Sequence, residues 1–229
     1  MKHLFFYLFT FLPFYLLVSC TQDNYEKGEG EYSLMRADFI EAHVGSDKRV
    51  DYIVTDDGDS LTAEPRFTIK SITVADTTYR AILYYNKVKN DAGKTVVEAM
   101  RMSVVPTLFP QKIGNQEQLV TDPVNFESVW LGANRRYLNS SIIVMTGKPD
   151  DEEIRQTIAL IQDTIVMQPD GKLTAHYRLY HDQGGVPEYY SARLYLSIPV
   201  SSIKADSVHL TVNTYKGEIV KCIPLIDAQ

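Results

Sequence analysis

An all-β fold is the reading that the sequence supports, and three observations carry it. Fifteen tyrosines and nine phenylalanines join many valines, isoleucines and threonines in short alternating runs, which suit pleated, half-buried strands better than helices. Turn signals such as Asp57-Gly58, Asn90-Asp91-Ala92-Gly93 and Asp170-Gly171 punctuate those runs. The runs also fall into two groups separated by a proline-bracketed stretch, which predicts two β domains in succession.

Met1 to Cys20 precedes them. Lys2 is its one charged residue, and an apolar run from Leu4 through Val18 ends in Leu17-Val18-Ser19-Cys20. The tetrapeptide resembles the lipobox of bacterial lipoproteins, so residues 1–19 are expected to be a signal peptide and Cys20 the lipidated mature N-terminus. An uncleaved membrane helix is the alternative, disfavoured by Pro13 and by the lack of a basic cluster after the run. The expected location is the cell envelope, lipid-anchored at the outer membrane, facing the periplasm or the surface. Residues 20–31 are polar with glycines and no aliphatic side chain, a composition that predicts a flexible tether.

Loss of residues 1–19 leaves 22 basic against 29 acidic residues, a net charge of −7. Nucleic acid is a poor partner for such a surface. With only Cys20 and Cys222 present, no disulfide framework exists, and Cys222 in its apolar-rich run is expected to be a buried structural thiol.

Residues 32–107 hold five expected strands: Tyr32 to Val44, long and bulged; Arg49 to Thr55; Arg66 to Val74; Thr78 to Val88; and Thr95 to Val105, with Val96, Met100, Met102 and Val104 on one face. This pattern predicts an OB-like five-stranded barrel, with a short SH3-like barrel as competitor. Pro106, Pro110 and Pro123 bracket the expected linker, residues 108–123. Residues 124–229 then supply seven strands, suiting an immunoglobulin-like β-sandwich. In the first of these, Val124, Phe126, Ser128 and Trp130 alternate, which places Trp130 in the sandwich core. Asp150 to Met167 carries both helical and strand signals and is read as a strand.

The run Tyr180-His181-Asp182-Gln183-Gly184-Gly185-Val186-Pro187-Glu188-Tyr189-Tyr190, closing in Leu196-Ser197-Ile198-Pro199-Val200, resembles the NigD-like lipoproteins of the Bacteroidales. So do Arg36-Ala37-Asp38-Phe39 with Thr55-Asp56-Asp57-Gly58, Tyr79-Arg80-Ala81-Ile82-Leu83-Tyr84-Tyr85, and Ser128-Val129-Trp130-Leu131 with Tyr137-Leu138-Asn139. The resemblance implies an N-terminal OB domain joined to a C-terminal β-sandwich and, through the bacteriocin gene cluster that named the family, a role near toxin production or immunity.

No sequence signature of catalysis is present: Gly-x-Ser-x-Gly, His-Glu-x-x-His and phosphate-cradling loops are all missing. His176 and His181 are five apart in a strand, hence on opposite faces, and no metal site is expected from them. Asp56, Asp57 and Asp59 around Gly58 hint at calcium, but the register lacks an EF-hand's alternating ligands and a turn is the better account. No cofactor is expected. The favoured function is a non-catalytic envelope lipoprotein, a binding or accessory module for glycan or protein partners; a bacteriocin-associated immunity protein and an envelope hydrolase with dispersed catalytic residues are the alternatives. The candidate ligand-binding residues are Asp182, Gln183, Glu188, Tyr189 and Tyr190, in a loop that Gly184, Gly185 and Pro187 could also define for purely structural reasons.

Overall fold

The computed structural model describes residues 35–114, 119–149, 151 and 153–226. The expected signal peptide, Cys20 and the expected tether lie outside the described residues. From Arg36 onward the chain forms one compact unit.

Five strands close a barrel: β1 (Arg36–Val44), β2 (Val50–Thr55), β3 (Ser60–Phe67), β4 (Thr77–Lys89) and β5 (Thr95–Val104). Their order around it is β1-β2-β3-β5-β4, with β3 and β5 parallel, the connectivity of an OB barrel. Alternation turns Ile40, Ala42 and Val44 of β1 and Ala81, Leu83 and Tyr85 of β4 into the barrel core, while Phe39, Glu41 and Arg80 point outward. The Tyr85 hydroxyl donates to Asp38 Oδ2 at 2.7 Å, and burial, with that carboxylate close by, pushes its pKa well up.

The third strand differs from expectation. Ser60–Phe67 forms it, paired to β2 through a tight turn in which Thr55 N–H donates to Asp59 O. Ile69 and Ile72, expected in a strand at Arg66 to Val74, instead form a turn (Ile72 N to Ile69 O, 3.0 Å), and Ile72 packs into the core. Pro65 sits in the irregular stretch between the pairs Tyr52–Thr62 and Val50–Phe67, where a missing ladder donor costs little. β5 carries a bulge at Met100, opposite Tyr84 and Tyr85; beyond it Met102 packs into the core, while Val104, the last residue of the strand, is exposed.

The second module is a sandwich. A three-stranded sheet has the order β11-β8-β7, from β7 (Asn125–Leu131), β8 (Tyr137–Thr146) and β11 (Tyr190–Pro199). A five-stranded sheet has the order β13-β12-β10-β9-β6, from β6 (Pro110–Gln111), β9 (Thr157–Met167), β10 (Leu173–Asp182), β12 (Ser207–Thr214) and β13 (Gly217–Pro224). The seven expected strands are all present. The larger sheet is mixed: β10 runs parallel to β12 and β6 parallel to β9, unlike the antiparallel pairing of immunoglobulin sheets. Leu138, Ile142, Leu196, Ile198, Leu160, Tyr177, Leu210 and Val212 fill a core separate from that of the barrel.

The stretch read as a linker is laid along the sandwich. Thr107 bridges to Ser197, Pro110 and Gln111 pair with β9, and Thr121 bridges to His181. Asp122 N–H donates to His181 O and Val124 N–H to Asn213 O. Proline spacing signals poor ladder donors, yet carbonyls on either side of a proline still accept, as Pro106 O does from Ser197 N–H.

Two side chains sit elsewhere than expected. Cys222 is exposed, because β13 is an edge strand whose inward positions fall on Ile219 and Ile223. Trp130 is half-buried outside the sandwich core. A bulge at Glu127, between the partners of Phe126 and Ser128, inverts the alternation, so Phe126, Val129 and Leu131 pack inward and Ser128 and Trp130 face the other way.

Candidate functional site

The outer face of the three-stranded sheet covers the outward face of β1 and β4, and the buried polar residues Glu41, Arg80, Asn139 and Ser197 are gathered there. Arg80, 5% exposed, is held from both modules. Its Nη1 and Nη2 donate to Asp56 Oδ1 and Oδ2 at 2.7 Å each, a bidentate pair within the barrel. Nη2 also donates to Asn139 Oδ1 at 3.0 Å, and Nε to Ser197 Oγ at 3.1 Å, both on the sandwich. Asn139 Nδ2 returns to Asp56 Oδ2 at 2.8 Å and Ser197 Oγ donates to Asn139 Oδ1 at 2.7 Å.

Aromatic rings close over this network. The guanidinium carbon lies 4.0 Å from the Tyr137 ring centroid and 5.2 Å from that of Phe39. Phe39 in turn meets Trp130 and Tyr195 edge to face, each at 5.5 Å. The Tyr137 hydroxyl donates to Glu41 Oε1 at 2.8 Å, and Arg136 Nη1 lies 2.6 Å from Glu41 Oε2. Burial, then the neighbouring Glu41 carboxylate, pushes the Tyr137 pKa up to about 12.

Every charged group of this junction is matched, so its chemistry is adhesive: it fixes the outer face of a barrel to a sheet. Asp56 is spent on Arg80, Asp59 on Lys87 Nζ at 2.6 Å, and Asp57 faces Arg36 Nη2 at 3.5 Å. The three carboxylates around Gly58 therefore diverge to three cations, and Gly58 itself, at φ +91°, is a turn residue. Among the described residues no group of three His, Cys, Asp or Glu side chains is gathered to hold a metal. His181 is buried, with Nδ1 3.1 Å from Asp122 O. His176, on the other face of β10, meets His209 edge to face at 4.8 Å. Small clefts of about 180 Å³ (Ala37, Asp38, Phe39, Asp56, Asp57, Trp130) and about 240 Å³ (with Tyr84, Val104, Arg193 and Tyr195 in its wall) open beside the junction.

The candidate loop lies at the far end of β10 and β11, and it divides by role. Asp182 Oδ1 accepts from Gly184 N–H at 2.8 Å. Gln183 Nε2 donates to Met145 O at 3.0 Å and Val186 O at 2.8 Å, and its N–H donates to Asp122 Oδ2 at 2.8 Å. Those two side chains hold the loop. Gly184 and Gly185 take φ of +59° and +78°, and a Cβ on Gly184 would collide with the Arg155 carbonyl oxygen. Glu188, Tyr189 and Tyr190 stand outward, the tyrosines 78% and 58% exposed. Tyr215, which the sequence reading did not single out, joins them: it is 49% exposed, and after partial burial the carboxylates of Glu188 and Asp122 raise its pKa.

The sequence did carry a signal for the junction. Phe39, Asp56, Arg80, Trp130, Tyr137, Asn139 and Ser197 all lie in the stretches that resemble the NigD-like proteins, and Arg80 interrupts the longest apolar strand, where only a buried acceptor could satisfy it.

No family model matches the chain, and no curated protein is significantly similar to it. Solved structures are similar. A NigD-like immunity protein from Bacteroides caccae superposes with a TM-score of 0.61 at 21% identity, over 82% of this chain and 90% of that one. A protein of unknown function, DUF1344, from Bacteroides vulgatus gives 0.58 at 16%, over 82% and 90%. A protein provisionally named a lipoprotein from Bacteroides fragilis gives 0.57 at 10%, over 85% of this chain and all of that one. The chain therefore has the fold of the NigD-like proteins, an OB-like barrel joined to a β-sandwich.

Proposed function

We propose that the chain is a NigD-like, lipid-anchored, non-catalytic protein of the cell envelope that binds a glycan or protein partner through the outward side of the Asp182–Tyr190 loop. The observation that carries the binding surface is the contrast within that loop. Asp182 and Gln183 are consumed in holding it, while Tyr189, Tyr190 and Tyr215 expose aromatic faces beside Glu188. Rigidly presented aromatic rings beside acceptors suit stacking on a sugar ring or packing on a protein at low entropic cost. The anchor is supported by the Leu17-Val18-Ser19-Cys20 sequence and by the likeness to a protein named a lipoprotein. Among the described residues no helix is long and apolar enough to cross a membrane.

The test is capture from detergent-solubilised membranes by tagged wild type and by Tyr189→Ala/Tyr190→Ala, with intact mass read on both. Retention of the same partners by the double variant at unchanged stability refutes the surface. An unmodified Met1 on the membrane-extracted chain refutes the anchor.

A second reading, bacteriocin-associated immunity, rests on the name of the similar structure from Bacteroides caccae. Expression in a toxin-sensitive strain tests it: unchanged killing refutes it.

A further inference from the structure

We propose that the outer edge of β11, from Ser191 to Tyr195, together with the cleft beside it, is a strand-addition site for an extended, acidic segment of a partner protein. The site is distinct from the loop proposed above and stands without it.

β11 is the edge strand of its sheet, pairing with β8 without a register break from Tyr190 to Pro199. Two bonds fix which residues aim their backbone inward and which outward. Val200 N–H donates to Arg136 O, so even-numbered positions face β8. Ser197 N–H donates away from β8 to Pro106 O, and Ser197 O accepts from Leu108 N–H. Odd-numbered positions thus face the open side, and the outward N–H and C=O groups of Ser191, Arg193 and Tyr195 have no backbone partner among the described residues.

The edge already accepts a strand where one is available: the chain's own Thr107 sits parallel beside Ser197. Toward Tyr190 no further bridge forms among the described residues: Ser103, Val104, Val105 and Pro106 face Arg193, Leu194 and Tyr195 across the cleft without pairing to them. Open edges are usually blunted by charged side chains, proline or a bulge; Tyr190-Ser191-Ala192-Arg193-Leu194-Tyr195-Leu196 has no proline and no bulge, and its one charge, Arg193, is held by Glu127. The 240 Å³ cleft runs alongside, with Ile82, Tyr84 and Val104 of the barrel opposite the edge. Val104 is 40% exposed there, giving an apolar seat for alternate side chains of a guest. The guest would be about five residues, roughly 16 Å of strand.

Charge chooses the guest. Arg193, in the cleft wall, is neutralised by Glu127 at 2.6 Å. Arg101 lies outside the lining, but it is the register partner of Tyr84, which does line the cleft, and it is exposed and, among the described residues, in no ion pair. In a chain of net negative charge, an unpaired arginine beside the cleft favours an acidic segment over a basic one.

The probes are two extended pentapeptides, acetyl-Asp-Val-Thr-Val-Asp-amide and its lysine counterpart, bound to the full chain in detergent micelles. Backbone amide exchange is read with and without them. In the free chain the amides of Arg193 and Tyr195 should exchange at least about a hundredfold faster than those of Leu194 and Leu196. The acidic probe should slow them, and the lysine probe should not. Ser191→Pro, which removes an outward donor while sparing the β8 ladder, and Arg101→Glu should each weaken the acidic probe about tenfold or more, with Tyr189→Ala/Tyr190→Ala having no effect. Equal protection of odd and even amides in the free chain, no binding of the acidic probe, or wild-type binding by both Ser191→Pro and Arg101→Glu overturns the proposal.

Discussion

Replacing Arg80 by Met is the sharpest perturbation of the junction. Met keeps most of the apolar stem between Phe39 and Tyr137 but deletes four donated hydrogen bonds, two to Asp56 and one each to Asn139 and Ser197. Asp56 is left with Asn139 Nδ2 as its remaining strong donor. Removing one member of a buried ion pair typically costs 3–5 kcal/mol. The Asp56 side chain is 15% exposed, so water recovers part of its solvation, and the expected loss is about 3 kcal/mol. Changing Asp56 to Asn in the same chain removes the stranded charge and leaves an amide that still accepts from Asn139. The double variant should therefore regain about 2 kcal/mol, a coupling measurable as a double-mutant cycle. Urea unfolding followed by Trp130 fluorescence reads both quantities, since Trp130 meets the barrel through Phe39. A loss below about 1 kcal/mol in Arg80→Met, with additive behaviour in the double variant, would mean that the network does not bind the two modules together.

Three more outcomes follow from the geometry. Trp130→Ala should cost about 1–2 kcal/mol by urea unfolding, set by one edge-to-face contact and partial burial, and a loss of about 4 kcal/mol would return the indole to the core. Gly184→Val and Gln183→Ala should each lower stability by about 1 kcal/mol or more, the first through a positive φ and the Arg155 carbonyl, the second through lost bonds to Met145 and Val186; unchanged melting temperatures refute the account of the loop. The Tyr137 pKa lies above its unfolded value of about 10, at about 12, so its contribution to stability is complete below pH 10 and disappears as pH rises toward 12. Tyr137→Phe should lower stability by urea unfolding at pH 8 and flatten its fall between about pH 10 and 12, and an unchanged pH dependence counts against a buried hydroxyl there.

Much of the architecture was legible because alternation and turn residues are local signals. Ile40, Ala42 and Val44 announce the inner face of β1, and the Asp57-Gly58 turn announces a hairpin. What escaped was set by pairing. One extra residue at Glu127 reverses the faces of β7 and moves Trp130 from the core to the junction. The third strand was expected at Arg66 to Val74 on Phe67, Ile69 and Ile72, whereas pairing with β2 selects Ser60–Phe67, across an irregularity that tolerates Pro65. Cys222 read as buried because an edge strand and a central strand share the same apolar composition. In the candidate loop the residue types were visible, but the division between holding residues and outward residues needed Met145 and Asp122, which are distant in sequence.

The sequence separation of the junction's bonds bears on how the chain acquires its shape. Arg80 meets Asn139 and Ser197 across 59 and 117 residues, whereas the barrel completes its ladders within Arg36–Val104. A chain released from its N-terminus can thus close the barrel while β8 and β11 are still unmade. During that interval Arg80 and Asp56 lie on a hydrated surface, and their charges keep a half-finished molecule from presenting a greasy flank to its neighbours. Arrival of Ser197 converts the same two residues from solubilising groups into a latch, and that latch closes a loop of 117 residues, far longer than any the barrel's own ladders close.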